Sequence, residues 1–150
     1  MTIALNPTTV SASIAALSIS GVTIKDIDEV PDSANMLCPL VVPVADFMTN
    51  ATPQNQSFGS NGTPKIDFTY TLNYAFLYAE MGSGINAYAP YQGLLQKFEL
   101  ILETILANDA INGLVDMKLE SMSNIGAIED PAGNQFWGLN FSLTCLEYAQ

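Results

Sequence analysis

Histidine and arginine are both absent from this 150-residue chain, and lysine occurs four times, at Lys25, Lys65, Lys97 and Lys118. Without histidine the commonest general base and metal ligand is missing, and Cys-His and Ser-His-Asp nucleophile systems are excluded. Ser-Lys chemistry remains open in principle, yet no S-x-x-K motif occurs. Nucleic-acid binders neutralise phosphates with Lys and Arg. Four lysines against 15 acidic residues, a net charge of −11, exclude that class, and the same deficit excludes attachment to anionic membranes. Cysteine is scarce too. Cys38 and Cys145 form no CxxC and no metal-like spacing, and one pair cannot make a disulfide framework, so two buried free thiols are expected. No apolar run approaches the roughly 18 residues of a membrane helix. No signal peptide is expected, because the first basic residue is Lys25 and the apolar stretch 14–19 is short and broken by Ser18.

Charge of either sign is sparse. Charged residues make up 13% of the chain and hydrophobic ones 49%, against a usual charged share of about 25%. A chain of this length is expected to form one domain over residues 1–150 with a large core, and apolar surface is left over. That excess points to a subunit that hides surface against partners. The alternative is a monomer under a neutral Ser/Thr/Asn-rich skin, kept soluble by its net charge. An acidic surface also suits a protein that must let DNA pass without holding it, because like charges repel.

Hydrophobic periodicity orders the chain. Pro7 at a first turn, Thr8 and Thr9 as caps, and Val10, Ile14 and Leu17 at helical spacing predict an N-terminal helix stopped by Gly21. Residues 22–27 alternate weakly and predict a strand. Pro31, Pro39 and Pro43 punctuate the next stretch, leaving Leu40-Val-Val as a short buried strand. The Asn/Thr/Gln/Ser/Gly-rich residues 49–64 predict a mobile loop. From Ile66 the even positions read Ile66, Phe68, Tyr70, Leu72, Tyr74, Phe76 and Tyr78. Alternation this long is incompatible with a helix and predicts one very long strand over about 65–79. After Pro90, the stripe Tyr91, Leu94, Leu95, Phe98, Ile101, Leu102 and Ile105 predicts an amphipathic helix over about 91–107. Two further alternating segments, 114–128 and 135–148, are joined through Glu129-Asp-Pro-Ala-Gly133 and predict a C-terminal hairpin. Trp137, Leu139, Phe141, Leu143 and Cys145 share one face of its second strand, and a phase slip near 121–124 predicts a bulge in its first. The fold class is α+β. A mixed or antiparallel sheet, with one very long strand and a C-terminal hairpin, is packed by an N-terminal helix and a central amphipathic helix.

Residues that could carry chemistry are few. The carboxylates Asp26/Asp28/Glu29 and Glu129/Asp130 fall in turn-like segments, where solvated acids are the norm. Asp26, Asp28 and Asp32 have a loosely calcium-like spacing, but the loop pattern with its Gly and closing Glu is missing. Gly82-x-Gly84 lacks both the third glycine of a dinucleotide fingerprint and a P-loop lysine. No catalytic residue, metal or cofactor is therefore expected, and the chain reads as a non-enzyme. Asp26, Asp28, Glu29, Asp32, Glu129 and Asp130 are instead a candidate acidic loop or lumen lining. Tyr70, Tyr74, Phe76 and Tyr78 are a candidate subunit or partner interface, with a core stripe and a stacking surface as the other readings. Sequons at Asn50, Asn55, Asn61 and Asn140, with the tyrosines, make a secreted calcium- or carbohydrate-binding module the alternative of a different class.

The order helix, strand, Pro-rich crossing, very long strand, helix and hairpin resembles that of the tail terminator (tail-completion) proteins of long-tailed bacteriophages. So do the local runs Gly21-Val22-Thr23, Asp28-Glu29-Val30-Pro31 and Leu40-Val-Val-Pro43. The resemblance implies a homo-oligomer, typically a hexameric ring, that caps the tail tube protein, stops its polymerisation and offers a docking surface to head-completion (neck) proteins. DNA passes through such a ring without specific binding. A virion location in the tail or neck, assembly in the host cytoplasm and a purely steric mechanism are implied as well. A head–tail connector or tail-tube subunit is the neighbouring alternative. The scarcity of basic residues departs from the family pattern and throws subunit contacts onto apolar and backbone groups.

Overall fold

A computed structural model of the chain describes residues 5–27, 39–58, 64–80, 88–108, 110, 115–129 and 133–148. Helix α1 (Pro7–Ala15) opens on proline, where a missing N–H is harmless and the fixed φ suits the first turn. It buries Val10, Ser11 and Ile14. Gly21, at φ +74°, supplies the left-handed residue of the turn that follows. The strand expected over 22–27 reduces to β1 (Thr23–Ile24), because only these two residues pair, in parallel, with Leu40 and Val41.

Strands β2 (Leu40–Phe58) and β3 (Pro64–Glu80), helix α2 (Tyr88–Ala107) and strands β4 (Val115–Glu129) and β5 (Gln135–Glu147) complete the fold. The sheet runs β1-β2-β3-β5-β4, antiparallel throughout except at β1. This is the expected α+β architecture, with β3 as the long strand and β4–β5 as the closing hairpin. The expected phase slip is present as register shifts between Leu119 and Ser121 and between Ser123 and Gly126. Asn124 there has φ +52°, a conformation that asparagine tolerates better than most residues.

Strand β2 departs most from expectation. Instead of a short strand followed by a loop, it continues to Phe58, paired with β3 through Thr52↔Thr69, Gln54↔Asp67 and Phe58↔Pro64. A strand needs only its neighbour's backbone to form a ladder, and apolar anchors are what sequence patterns detect. Asn50 and Asn55, at φ +57° and +49°, fall at two of its register shifts, between Thr49 and Thr52 and between Gln54 and Ser57.

The core lies on one face of the sheet. Register pairs Tyr70↔Cys145, Leu72↔Leu143, Tyr74↔Phe141 and Phe76↔Leu139 bring the apolar faces of β3 and β5 into line. Helix α2 crosses them: Phe98 stacks on Phe76 at 6.1 Å and tilts onto Phe141 at 5.1 Å. Val10 and Ile14 of α1 join the same cluster with Leu94, Ile101 and Ile105 of α2. Truncating Phe98 to alanine is worth about 3–5 kcal/mol by analogy with other buried aromatics.

The opposite face is apolar at one end and polar further along. Leu40, Ala75, Leu77, Ile128 and Phe136 form a second, smaller cluster. Gly138 allows it to close: a Cβ there would lie 2.1 Å from the Phe76 carbonyl oxygen and 2.8 Å from Ile128 Cδ1. Beyond it, Ser142 Oγ donates to Asn73 Oδ1 (2.7 Å), and Asn73 Nδ2 donates to Thr49 Oγ1 (3.1 Å) and the Asp46 carbonyl (2.8 Å).

Candidate functional site

The aromatic stripe expected at an interface belongs to the core of a single copy. Tyr70, Tyr74 and Phe76 are exposed by 0, 1 and 0%. Tyr78 is half-buried against the same cluster and passes over Gly93, where a Cβ would lie 2.3 Å from its hydroxyl. The correction has a simple cause. Alternation marks a covered face without saying what covers it, and here α2 does.

The least expected feature is Glu147, which is fully buried at 0% exposure. The Asn6 backbone N–H donates to Oε2 at 2.8 Å and to Oε1 at 3.1 Å, and Asn6 Nδ2 donates to Oε1 at 2.7 Å. The Tyr70 hydroxyl donates to Oε2 at 3.1 Å. Neutral donors therefore satisfy both oxygens of this buried side chain. Burial, with the fields of Cys145 and Glu147 adding to it, raises the Tyr70 phenol well above its ordinary range and keeps it a donor. Burial, and then Glu147, push the Cys145 thiol up to about 12, which leaves it unreactive as a nucleophile. Glu147 was legible as the next inward position after Cys145 on the Trp137 face, an acid in phase with the core.

The candidate acids disperse. Asp26 Oδ1 accepts from Ser11 Oγ at 2.8 Å and from the Ile27 N–H at 2.6 Å, so it fastens α1 to the segment after β1. Nearby, the Tyr74 hydroxyl is buried without a hydrogen-bond partner among the described residues. Burial raises its pKa, with Ser11 opposing, while the Ser11 proton is directed to Asp26. Glu129 is exposed at the end of β4 and accepts a long bond from Gln135 Nε2 at 3.5 Å. Asp28, Glu29, Asp32 and Asp130 lie outside the described residues, as do Cys38, Gly82 and Gly84. Among the described residues no group of three or more His, Cys, Asp or Glu side chains converges on a metal-sized site. No helix among them is long and apolar enough to cross a membrane.

Two surfaces stand out instead. The last β5 partner of β3 is Glu147, opposite Phe68. Past that point, among the described residues, residues 64–67 of β3 and 54–58 of β2 run on as a two-stranded ribbon, roughly 13 Å at strand spacing. Residues 50–57 of β2 are exposed at every position. Asn55 Nδ2 donates to Asp67 Oδ2 across the ribbon at 3.1 Å. Among the described residues the outer edge of β2 meets β1 at Leu40 and Val41, and Pro43 and Pro53 lack the N–H groups an added strand would need.

The second surface is an apolar flank. Tyr91, Leu95 and Leu106 of α2 are exposed by 37, 45 and 37%, and at about 100° per residue they fall within roughly 60° of one another. Tyr91 fixes this flank to the edge of the sheet. Its hydroxyl donates to the Ile125 carbonyl at 3.2 Å, and its ring lies 5.8 Å from Trp137. Ile125 extends the apolar surface onto β4.

Fold and surfaces together define an α+β protein with a two-stranded ribbon at one side of its sheet and an apolar flank at the other. No protein-family model matches the chain, and no curated protein matches it significantly.

Proposed function

We propose that this chain is a virion structural subunit, a phage tail terminator, whose copies form a hexameric ring that caps the tail tube. The observation that carries the reading is the projecting β2–β3 ribbon within a helix, strand, long-strand pair, helix and hairpin order. A two-stranded ribbon standing clear of a sheet is marginal in water by itself, so it suits a part that works by lying against neighbours. The mechanism is steric. Docking of the ring covers the growing end of the tube protein and stops polymerisation, and its outer face receives the head-completion protein. No covalent bond is made or broken, and the chain acts as an assembly component, not an enzyme. The net charge of −11 suits a channel through which DNA passes without binding. Its place is the tail or neck of the virion, after assembly in the host cytoplasm.

Electron microscopy of the protein, alone and with tail-tube subunits, tests this. Rings, and tubes that carry a ring at their end and grow no further, are the expected result. A strict monomer that leaves tube growth unchanged, and gains thermal stability with calcium or glycans, overturns it.

A further inference from the structure

We propose that the outer edge of β4 accepts an extended segment of a cationic partner protein. The segment adds a strand beside residues 115–119 and lays its apolar side chains on the shelf that α2 builds over that edge. This goes beyond the terminator reading and holds whether or not the chain forms rings.

The two sides of the sheet are finished differently. Strand β2 carries β1 on its outer side and holds Pro43 and Pro53. Strand β4 is the last of the sheet among the described residues and contains no proline. From Val115↔Glu147 to Leu119↔Leu143 its pairing with β5 runs without a register shift. The outward N–H and C=O groups of such a stretch are a template for another strand. The bulges between Leu119 and Gly126 end the regular edge, and beyond them the Ile125 carbonyl already accepts from Tyr91. An added strand of about five residues, a usual strand length, fits the stretch that remains.

Helix α2 runs back along this edge. Tyr91 near its start reaches Ile125, and past its end the Val115 N–H donates to the Ala110 carbonyl at 3.2 Å. With Tyr91 as zero, Leu102, Leu95 and Leu106 lie at about 20°, 40° and 60° around the helix, and Lys97 at about 240°. Lys97 Nζ donates to the Ser20 carbonyl at 3.3 Å on the β1 side, so the leucines overhang the β4 side. Leu102, Leu119 and Met122 are only half-buried against the core. One face of an added strand would cover them. Charge selects the occupant. Glu99 and Glu103 are exposed beside Leu95 and Leu106 on α2, and Asp116 and Glu120 are exposed on β4, whose sole lysine is Lys118. A second copy, with its own net charge of −11, is repelled here, whereas a strand that brings Lys or Arg is drawn in.

Titration of the isotope-labelled full chain with a short peptide of alternating lysine and valine, followed by NMR, tests this. Amide signals of 115–119 and methyl signals of Leu95, Leu102 and Leu106 are expected to shift, with little change elsewhere. The same peptide with every backbone nitrogen methylated keeps its charge and side chains but cannot pair, and should bind at least about tenfold more weakly. The double variant Glu99→Lys/Glu103→Lys should weaken binding of the first peptide, by about tenfold, and Lys118→Glu should tighten it. These positions are exposed, and unchanged thermal melting verifies that the variants are folded. Equal binding of the methylated peptide leaves charge attraction alone and overturns the proposal. So does a lysine–valine peptide that fails to bind or shifts other residues, or a glutamate–valine peptide that binds equally well. Self-association of the wild type that the peptide displaces would make a second copy the occupant, and overturns it too.

Discussion

Asn6 and Glu147 stand 141 positions apart, and the first of them grips both carboxylate oxygens of the second. This contact fastens the segment before α1 to the end of the last strand, so α1 is tied to the core by more than Val10 and Ile14. Asn6→Ala is expected to lower stability by about 1–2 kcal/mol, and Glu147→Gln by about 2–3 kcal/mol, since the new amide would face the donors of Asn6. In a double-mutant cycle read by urea denaturation the two should couple by about 1 kcal/mol or more. Additive losses would refute the idea that they act as one clasp.

Gly138 is where β5 comes close to β3. Gly138→Ala places a methyl carbon 2.1 Å from the Phe76 carbonyl oxygen, a backbone atom that no rotamer change can move aside. The expected loss is about 1–3 kcal/mol or more, as for other overpacked sites. Shortening Ile128 in the same background should not restore it. The contrast is Gly133, at φ +86°, where a Cβ would meet no atom within 4 Å: Gly133→Asn should lose less than Gly138→Ala, because only backbone strain opposes it and asparagine tolerates the left-handed region better than most residues. Thermal melts of the two variants decide the matter, and equal losses would mean that the approach at Gly138 is not tight.

Parts of this architecture were legible wherever a covered face left a period. The alternation from Ile66 to Tyr78 marked β3, the stripe through Phe98 marked α2, and the slipped phase at 121–124 marked the bulge in β4. What stayed hidden shares one physical property. The ladder from Thr49 to Phe58 is made of backbone hydrogen bonds, which leave no side-chain signature. The Glu147 clasp depends on Asn6, a partner that no local spacing connects to it. The aromatic stripe was visible as a covered face, but its cover was α2, and periodicity carries no information about the covering element.

Gly93 and Tyr78 make a second close approach, with a result that changes sign. Alanine at position 93 gains about 1 kcal/mol of intrinsic helix propensity over glycine. Its Cβ would nevertheless meet the Tyr78 hydroxyl at 2.3 Å and the ring carbon bearing it at 3.0 Å. Gly93→Ala is therefore expected to destabilise the wild type and to stabilise a Tyr78→Leu background. Denaturation midpoints of the four proteins report it directly, and the same sign in both backgrounds would remove Tyr78 as the cause. Phe76→Lys, by contrast, puts a charge into a site of 0% exposure and should prevent folding outright.

Alkaline pH should unfold the protein by way of its buried acids. The Cys145 thiol moves from an ordinary 9.0 to about 12 in the folded chain, and the Tyr70 and Tyr74 phenols are raised from 10.0. Above pH 9.0 the unfolded chain loses the Cys145 proton while the native chain keeps it. The unfolded state then binds fewer protons, so stability falls as pH rises. This contribution is fully present below pH 9.0 and is lost progressively up to about 12. Cys145→Ala removes the first of the three groups, so the decline should begin nearer 10.0, where the phenols of the unfolded chain start to ionise. Urea midpoints measured at steps of pH across that window give the onset. If the variant and the wild type decline from the same pH, the Cys145 thiol is not the group that starts the loss.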